Sequence, residues 1–349
     1  MRPVGRSKGS PLRRAALAGA VLASIAATAP RPAEGVVESA STLWVDAASP
    51  ARLPRGTRAE PYPTIGEALA AARPGSVIRV APGEYWENVT IPHGIALVGE
   101  GPSRPILHGA SPFWPFWRKP VVTMHGESSL EFVRVTGGEE GVHVDVNARI
   151  RLARVEIVDN HRNGIGFERV EKVGGEPATV DIEDCLITGN SDGIDLESTR
   201  GEIRKSRLIG NRDDGVDYDG NTDCAVVDNE IRDNGDDGIE IRLKQDTLAR
   251  IERNRIRGNG EDGVEIINTW QPEPTANRVE IADNEIHGNS RYGIGAVDQV
   301  SEEVQPGLRI AGIVLGQNRL SGNGKADVAG VSAPSGPAPR RPARAGSVR

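Results

Sequence analysis

Four segments of the chain repeat one pattern: Asn190-Ser-Asp-Gly-Ile-Asp-Leu196, Asn211-Arg-Asp-Asp-Gly-Val-Asp-Tyr218, Asn234-Gly-Asp-Asp-Gly-Ile-Glu-Ile241 and Asn259-Gly-Glu-Asp-Gly-Val-Glu-Ile266. Each has an asparagine, a short acidic turn, a glycine, and then apolar residues that alternate with acidic ones. Weaker copies flank them at residues 160–167 and 289–296, and the glycines of the six copies follow at intervals of 29, 22, 23, 25 and 30 residues. Such a period is typical of a solenoid, in which each repeat buries its apolar side chains against its neighbours.

The alternation after each glycine predicts a short strand with one buried face. Equivalent residues of successive repeats should therefore stack about 4.8 Å apart, the spacing of paired strands. Two inner apolar columns are predicted: Ile165, Ile194, Val216, Ile239, Val264 and Ile294, and beside them Phe167, Leu196, Tyr218, Ile241, Ile266 and Ala296.

The asparagines predict ladders in which amide side chains pass hydrogen bonds from coil to coil. One ladder is formed by the first asparagine of each copy. A second column lies five residues before it: Asn229, Asn254, Asn284 and Asn318. We expect the glycine of each copy to supply the backbone freedom that the turn needs.

These repeats, with the segment from Pro63 to Tyr85, resemble the right-handed parallel β-helix proteins of the pectin-lyase-like superfamily. The resemblance covers about residues 43–329. It implies an all-β fold, a single-stranded right-handed parallel β-helix (solenoid) of about ten coils. Because that superfamily holds lyases, hydrolases, epimerases and non-catalytic modules, the resemblance predicts the fold and leaves the reaction open.

An N-terminal capping helix is predicted at residues 65–73. Thr64 to Glu67 has the capping-box pattern, and Pro74-Gly75 ends the helical pattern. We expect the apolar face of this helix to cover the open end of the solenoid, where core and strand edges are otherwise exposed.

Both ends of the chain differ from the repeats. Residues 1–29 have a basic start and a short apolar run, as in a signal peptide, and residues 30–42 have the composition of a linker. Arg13-Arg14 is compatible with a twin-arginine signal, but the residues after it fit that motif poorly, which favours the Sec route. Residues 330–349, rich in Ser, Pro, Ala and Arg, are predicted to be a disordered tail. We therefore expect a secreted or periplasmic monomer with no transmembrane segment in the mature chain.

The formal charge of −7 and the acidic repeats argue against nucleic acid as a partner and leave a polysaccharide or cell-envelope glycan. Trp114, Trp117 and Trp270 lie in loops and are candidate sugar-stacking residues. For Trp114 and Trp117 the alternative is a hydrophobic lid over the first coils. Cys185 and Cys224 fall too far apart in the predicted stack for a disulfide.

The outward-facing acids are the candidate site. Asp195, Asp217, Glu240 and Glu265 lie two residues after the glycines, and Asp192, Asp214, Asp237 and Asp262 lie directly before them. Like charges on neighbouring strands repel. Such a column requires cations, raised pKa values, or hydrated side chains that splay apart.

Three interpretations remain open. In the first, calcium is held by Asp195, Asp217, Glu240 and Asp237, because calcium takes several carboxylate oxygens in flexible geometry. The acidic face then binds an acidic polysaccharide, or also cleaves or epimerises it as β-helix lyases do. Arg242 would neutralise or deprotonate the sugar acid. The candidate catalytic residues are Asp192, Asp195, Asp214, Asp217 and Arg242.

In the second interpretation, the protein is an inverting glycoside hydrolase similar to polygalacturonases. Asp192 and Asp213 match that family's acidic segments and suit an acid–base pair. The family's Gly-His-Gly is absent, because the next coil has Gly235-Asp-Asp237. In the third interpretation nothing is catalysed, and the chain is a structural or interaction solenoid of the cell envelope whose turns are acidic for backbone reasons.

The N-terminal segment gives a direct test. We expect the exported protein to begin after the Ala-rich run, near Ala26, because small residues precede that position. N-terminal sequencing or mass spectrometry of the protein outside the cytoplasm checks this, and exported protein that retains Met1 would contradict it.

Overall fold

Three parallel sheets carry the chain, and each coil contributes one strand to each sheet. The structure, a computed structural model, describes residues 41–109, 119–244, 246–269, 276–298 and 312–331. Sheet 1 consists of β1 (Thr42–Val45), β2 (Val77–Val80), β5 (Ala96–Gly99), β8 (Glu127–Glu131), β11 (Arg149–Ala153), β14 (Ala178–Glu183), β17 (Thr199–Arg204), β20 (Asp223–Val227), β23 (Leu248–Glu252), β26 (Arg278–Ala282) and β29 (Ile313–Leu315).

Sheets 2 and 3 have ten strands each in the described part of the chain. Sheet 2 consists of β4 (Val89–Ile91), β7 (Val122–Met124), β10 (Val142–Val144), β13 (Ile165–Phe167), β16 (Ile194–Glu197), β19 (Val216–Asp219), β22 (Ile239–Leu243), β25 (Val264–Asn268), β28 (Tyr292–Asp298) and β31 (Ala326–Ala329). Sheet 3 consists of β3 (Glu84–Trp86), β6 (Ile106–His108), β9 (Arg134–Thr136), β12 (Glu156–Val158), β15 (Leu186–Thr188), β18 (Arg207–Ile209), β21 (Glu230–Arg232), β24 (Arg255–Arg257), β27 (Glu285–His287) and β30 (Arg319–Ser321).

The chain passes from sheet 1 to sheet 3 to sheet 2 and then begins the next coil, so that β2 to β31 make ten coils. Each strand pairs in parallel with its equivalent in the next coil, for example β16 with β19. The predicted right-handed parallel β-helix of about ten coils is confirmed.

The inner columns follow the predicted register. Ile165 pairs with Ile194, and the pairing continues through Val216, Ile239, Val264 and Ile294. All six side chains have no exposed surface. Burial of an aliphatic side chain contributes about 2 kcal/mol, and the stack repeats this contribution in every coil.

Both predicted asparagine ladders are present. In the first, each Nδ2 donates to the Oδ1 of the next coil at 2.9–3.2 Å, through Asn160, Asn190, Asn211, Asn234, Asn259, Asn289 and Asn323. In the second, the same bond is 3.0–3.1 Å long, through Asn229, Asn254, Asn284 and Asn318. Each Oδ1 also accepts the backbone N–H of the preceding ladder residue, as Asn234 Oδ1 does from Asn211 at 3.1 Å. These amides therefore satisfy buried polar groups that would otherwise be costly.

The consensus glycines serve a different purpose from the one expected. A Cβ at Gly193 would lie 2.4 Å from the Gly215 carbonyl oxygen and 2.9 Å from Asn211 Nδ2. The left-handed backbone falls instead on the residue before a ladder asparagine, for example Asp233 (φ 56°) and Gly258 (φ 66°). The glycine is thus required because the next coil approaches closely, and the turn obtains its positive φ elsewhere.

Helix α1 (Ile65–Ala71) ends two residues before the predicted boundary. Its N-cap Thr64 accepts the Glu67 N–H at 3.2 Å, as the capping pattern predicts. The carboxylate of Glu87, which follows β3, accepts the first two helical N–H groups at 2.8 and 2.9 Å. The helix packs on β1, β2 and β4, the first strands of the stack. A second helix, α2 (Val170–Val173), lies in the loop after β13.

The remaining sequence predictions divide into two groups. Cys185 and Cys224 are buried free thiols, as expected. No helix in the described ranges is long and apolar enough to cross a membrane. The signal segment 1–29, residues 30–40 of the linker, residues 332–349 of the tail, and Trp114, Trp117 and Trp270 lie outside the described residues.

The first asparagine ladder predicts how much stability the protein loses when one amide side chain is removed. In Asn234→Ala the buried Asn211 loses the acceptor of its N–H and its Nδ2, so we expect a loss of about 3 kcal/mol in the free energy of unfolding. Asn221→Ala, at an exposed bend, should change stability by less than about 0.5 kcal/mol. Urea denaturation of both variants measures this. Equal stabilities would show that the ladder is dispensable.

Candidate functional site

The outer face of sheet 2 collects the acidic residues of four successive coils. Asp195 pairs with Asp217, Asp217 with Glu240, and Glu240 with Glu265. Their side chains point away from the core because each alternates with a buried apolar residue. The predicted acidic column is therefore a column of directly neighbouring carboxylates.

A second acidic row lies in the turn before each of these strands. The N–H of Asp214 donates to Asp192 Oδ1 at 3.2 Å, that of Asp237 to Asp214 Oδ1 at 2.8 Å, and that of Asp262 to Asp237 Oδ1 at 2.6 Å. One oxygen of each carboxylate thus holds the turn of the next coil. This favours turn geometry as the reason for the Asp192 match to polygalacturonases.

Most members of the two rows line a groove of about 600 Å³, together with Asp213, Asp236 and Glu261. Nine acids and two arginines line it, together with Ile267, Thr269 and Val297. The lining acids are Asp192, Asp213, Asp214, Asp217, Asp236, Asp237, Glu240, Glu261 and Glu265. The groove therefore carries a strong excess of negative charge when these groups are ionised.

Two arginines partly neutralise the groove. Arg242 Nη1 lies 3.0 Å from Asp217 Oδ2, and its Nη2 lies 2.5 Å from Glu240 Oε1. Arg291 forms ion pairs with Glu261, with Asp262 at 3.6 Å and with Glu265 at 3.5 Å. Sequence reasoning identified Arg242 and missed Arg291, although an alignment of the turns places Arg291 in the column of Glu261.

A further pair of acids lies on the same face, two residues further along the strands than Asp195 and Asp217. Glu197 and Asp219 are buried neighbours on β16 and β19. Arg169 forms ion pairs with both, and Lys244 pairs with Asp219. Burial alone would raise the pKa of Asp219, but the hydrogen bond and charge of Lys244 lower it below its usual range. Sequence reasoning missed these cations because they come from loops.

Several carboxyls in both acidic rows have pKa values above those of exposed carboxyls in water. Burial, together with the charge of Asp217, raises the pKa of Asp195 to about 7. Burial raises the pKa of Asp214 to about 8 and that of Asp192 to about 6. Burial and the charge of Asp217 also raise the pKa of Glu240. Close packing of acids, with few cations, therefore makes protonation compete with cation binding.

Two groups of three carboxylates could each hold a metal ion: Asp214, Asp217 and Glu240, and Asp237, Glu240 and Glu265. Within each group one oxygen per residue lies within 4.8 Å of the others. Oxygens on opposite sides of a calcium ion are separated by about 4.8 Å, since each lies about 2.4 Å from the ion. No donor in the described part of the chain reaches the buried Asp217 Oδ1. An all-oxygen set with an unmatched buried oxygen suits a hard cation.

The predicted metal ligands are thus mostly brought together. Asp217, Glu240 and Asp237 belong to the two groups, while Asp195 accepts the Asn163 amide at 2.8 Å and belongs to neither. Asp214 and Glu265 complete the groups. They occupy columns that the sequence had already identified as acidic.

The glycines that flank the acidic column make room for carboxylates of neighbouring turns. A Cβ at Gly295 would lie 2.1 Å from Asp262 Oδ2, and one at Gly166 would lie 2.8 Å from the Glu140 carboxyl. Glu140 in turn lies 2.7 Å from His143 Nδ1, on the same face two coils before Asp195. The acidic face therefore extends beyond the four coils that show acids in this column.

The raised pKa values predict that stability falls with rising pH. In unfolded chains these acids ionise near about pH 4, whereas Asp214 and Asp195 stay protonated to higher pH in the folded protein. Between those values the folded state binds more protons, so its stability decreases as pH rises. In chelator-treated buffer, we expect Tm to fall by roughly 5 °C or more between about pH 5 and about pH 8.

Asp214→Asn is the matched variant, because an amide keeps the oxygen that accepts the Asp237 N–H. Its Tm should depend less on pH than that of the wild type. A Tm that rises over this range in the wild type would contradict the assigned burial of the acids.

The family model for the right-handed beta helix region matches residues 140–306. No curated protein sequence matches the chain. Among solved structures, the alginate lyase from Paenibacillus sp. str. FPU-7 has a TM-score of 0.60 and 16% identity, over 77% of this chain and 96% of the lyase. The pectate lyase Pel9A has a TM-score of 0.53 and 16% identity, over 86% and 80% of the two chains.

A double mutant of the periplasmic alginate epimerase AlgG has a TM-score of 0.51 and 15% identity, over 74% of this chain and 75% of the epimerase. At these identities the likeness concerns the fold alone. The sequence resemblance is confirmed at that level: the chain folds as a right-handed parallel β-helix, as the matched family model describes for its region.

Proposed function

We propose that the protein binds an acidic polysaccharide in the groove on sheet 2, through calcium held by Asp217 and Glu240. The observation that carries the proposal is the pair of carboxylate groups that share Glu240. Asp214 would complete one set of ligands, and Asp237 with Glu265 the other. Bound calcium would supply positive charge for the sugar carboxylates.

The charge of the groove explains why a cation is needed. When its acids are ionised, a groove lined by nine acids and two arginines repels a polyanion. A divalent ion between protein and sugar carboxylates converts this repulsion into attraction. The same groove without a cation would favour neutral or positively charged ligands, so dependence on calcium is the distinctive property of the proposal.

The loops support this face as the binding face. Turns from sheet 1 to sheet 3 are two residues long in every coil from β8 to β27. Connections from sheet 2 to sheet 1 vary, and the longest span residues 168–177, 269–277 and 299–312. Insertions in solenoids collect on one face, often the one that binds ligands. Here they follow the strands that carry the groove and its flanks.

The structural neighbours point to the same substrate class. By their names, they include an alginate lyase, a pectate lyase and an alginate epimerase, which act on acidic polysaccharides. One of them is described as periplasmic. Together with the predicted signal segment, this supports an exported protein.

Cleavage or epimerisation of the sugar is the second candidate function, and Arg242 favours it. Its guanidinium lies in the groove beside both cation groups and could neutralise a sugar carboxylate, which makes the neighbouring C–H more acidic. Asp192, Asp195, Asp214 and Asp217 remain candidate proton carriers. Unsaturated products, detected by their ultraviolet absorbance, would establish a lyase.

Calorimetric titration with calcium tests the binding site. We expect wild-type protein to bind calcium at millimolar concentration or below at about pH 8, and Asp217→Asn to bind it much more weakly. Asp236→Asn removes an exposed acid of the same groove that belongs to neither group, so it should retain most of the affinity.

Binding of polygalacturonate or alginate oligosaccharides should then require calcium and disappear with chelator. If neither calcium nor an oligosaccharide binds, the solenoid is a structural or interaction module. If the oligosaccharide binds equally well with chelator, the cation has no part in recognition.

A further inference from the structure

Arg242 occupies the carboxylates that both cation groups need. Its guanidinium contacts Asp217 Oδ2 at 3.0 Å and Glu240 Oε1 at 2.5 Å. Asp217 belongs to the first group of potential ligands, and Glu240 belongs to both. The arginine and a cation therefore share their partners.

These two positive groups compete for the shared oxygens. A cation bound by Asp217 and Glu240 would lie within a few ångströms of the guanidinium, where like charges repel strongly in a partly dry groove. The carboxylates would also donate electron density to the cation and become weaker acceptors for Arg242. Full occupancy of both partners at the same oxygens is thus unfavourable.

The surroundings of Arg242 leave room for its guanidinium to move away from Asp217 and Glu240. It pairs in register with the outward-facing Ile267 of the next strand, and Val297 lines the same part of the groove. Neither apolar side chain can replace the lost ion pairs. About a third of the Arg242 side chain is exposed (35%), so a modest rotation about its flexible stem brings the guanidinium to the groove surface.

We propose that Arg242 leaves Asp217 and Glu240 when these residues take up a cation, and then binds a carboxylate of the polysaccharide. The inference rests on the proposed function and adds an order of binding, in which the cation comes first. Before cation uptake the arginine is held by protein carboxylates. Afterwards it presents two parallel N–H donors, which match a sugar carboxylate.

This order has a direct consequence for specificity. A neutral polysaccharide offers no anion for the released guanidinium, so it gains nothing from the exchange. An acidic polysaccharide can contact both the bound cation and the released Arg242 through its carboxylates. Arg242 is therefore a specificity-determining residue whose availability depends on the cation.

Chemical modification of the full-length protein with phenylglyoxal tests the exchange, with each arginine followed by peptide mass spectrometry. We expect saturating calcium to increase the modification rate of Arg242 severalfold, and an acidic oligosaccharide added afterwards to protect it again. Arg255, exposed on sheet 3, is the internal control and should react equally in all conditions.

Variants give an independent readout. Arg242→Gln should bind calcium more tightly, because its competitor is gone, and should lose most of its affinity for the oligosaccharide. Arg255→Gln, which removes one remote charge, should change neither. Calcium uptake with no change in Arg242 reactivity would overturn this inference alone, whereas no calcium uptake by any form would overturn the proposed function as well.

Discussion

The spacing of paired strands governs this molecule. Each residue of a strand lies about 4.8 Å from its equivalent in the coil before it. Equivalent side chains of successive coils are therefore in direct contact, and in the repeats they are often of the same chemical type. Isoleucine and valine tolerate such a neighbour through dispersion contacts, and asparagine does so because its amide both donates and accepts. Carboxylates cannot, unless protons or cations come between them. The same geometry that stabilises the core and the ladders therefore creates the electrostatic problem on the outer face.

The repulsion between stacked carboxylates is relieved in different ways in different parts of sheet 2. Glu197 and Asp219 have their own cations, from Arg169 and Lys244, and Asp219 ionises readily. Among the described residues of the central groove, Arg242 and Arg291 supply the positive charge, and several carboxyls keep their protons. A surface that needed only solubility would gain from pairing its acids. Across the described residues, the carboxyls with raised pKa values lie in or beside this groove, which is why the functional hypothesis lies there.

The repeat made much of the fold predictable, because a column follows directly from an alignment of the chain with itself. The register of Ile194, Val216 and Ile239 and the two asparagine ladders could be written down in advance. The contacts that depart from the repeat could not be predicted in this way. Glu140 and Asp262 reach over glycines of the next coil, Glu87 caps a helix from a distant turn, and Arg169 enters from an inserted loop. Such contacts depend on side-chain direction and loop path, which periodicity does not encode.

Two of the three corners of the coil differ in how much the length of their connections varies. Between sheets 1 and 3 a two-residue turn recurs in every coil from β8 to β27, and from β20 to β27 it ends in a ladder asparagine. After sheet 2 the connection ranges from the single residue Ser198 to the span 299–312 without altering the register of the strands on either side. Segments at this corner can thus be exchanged between related solenoids as independent units, so that the outline of the groove can evolve rapidly, or be engineered, on a scaffold that stays unchanged.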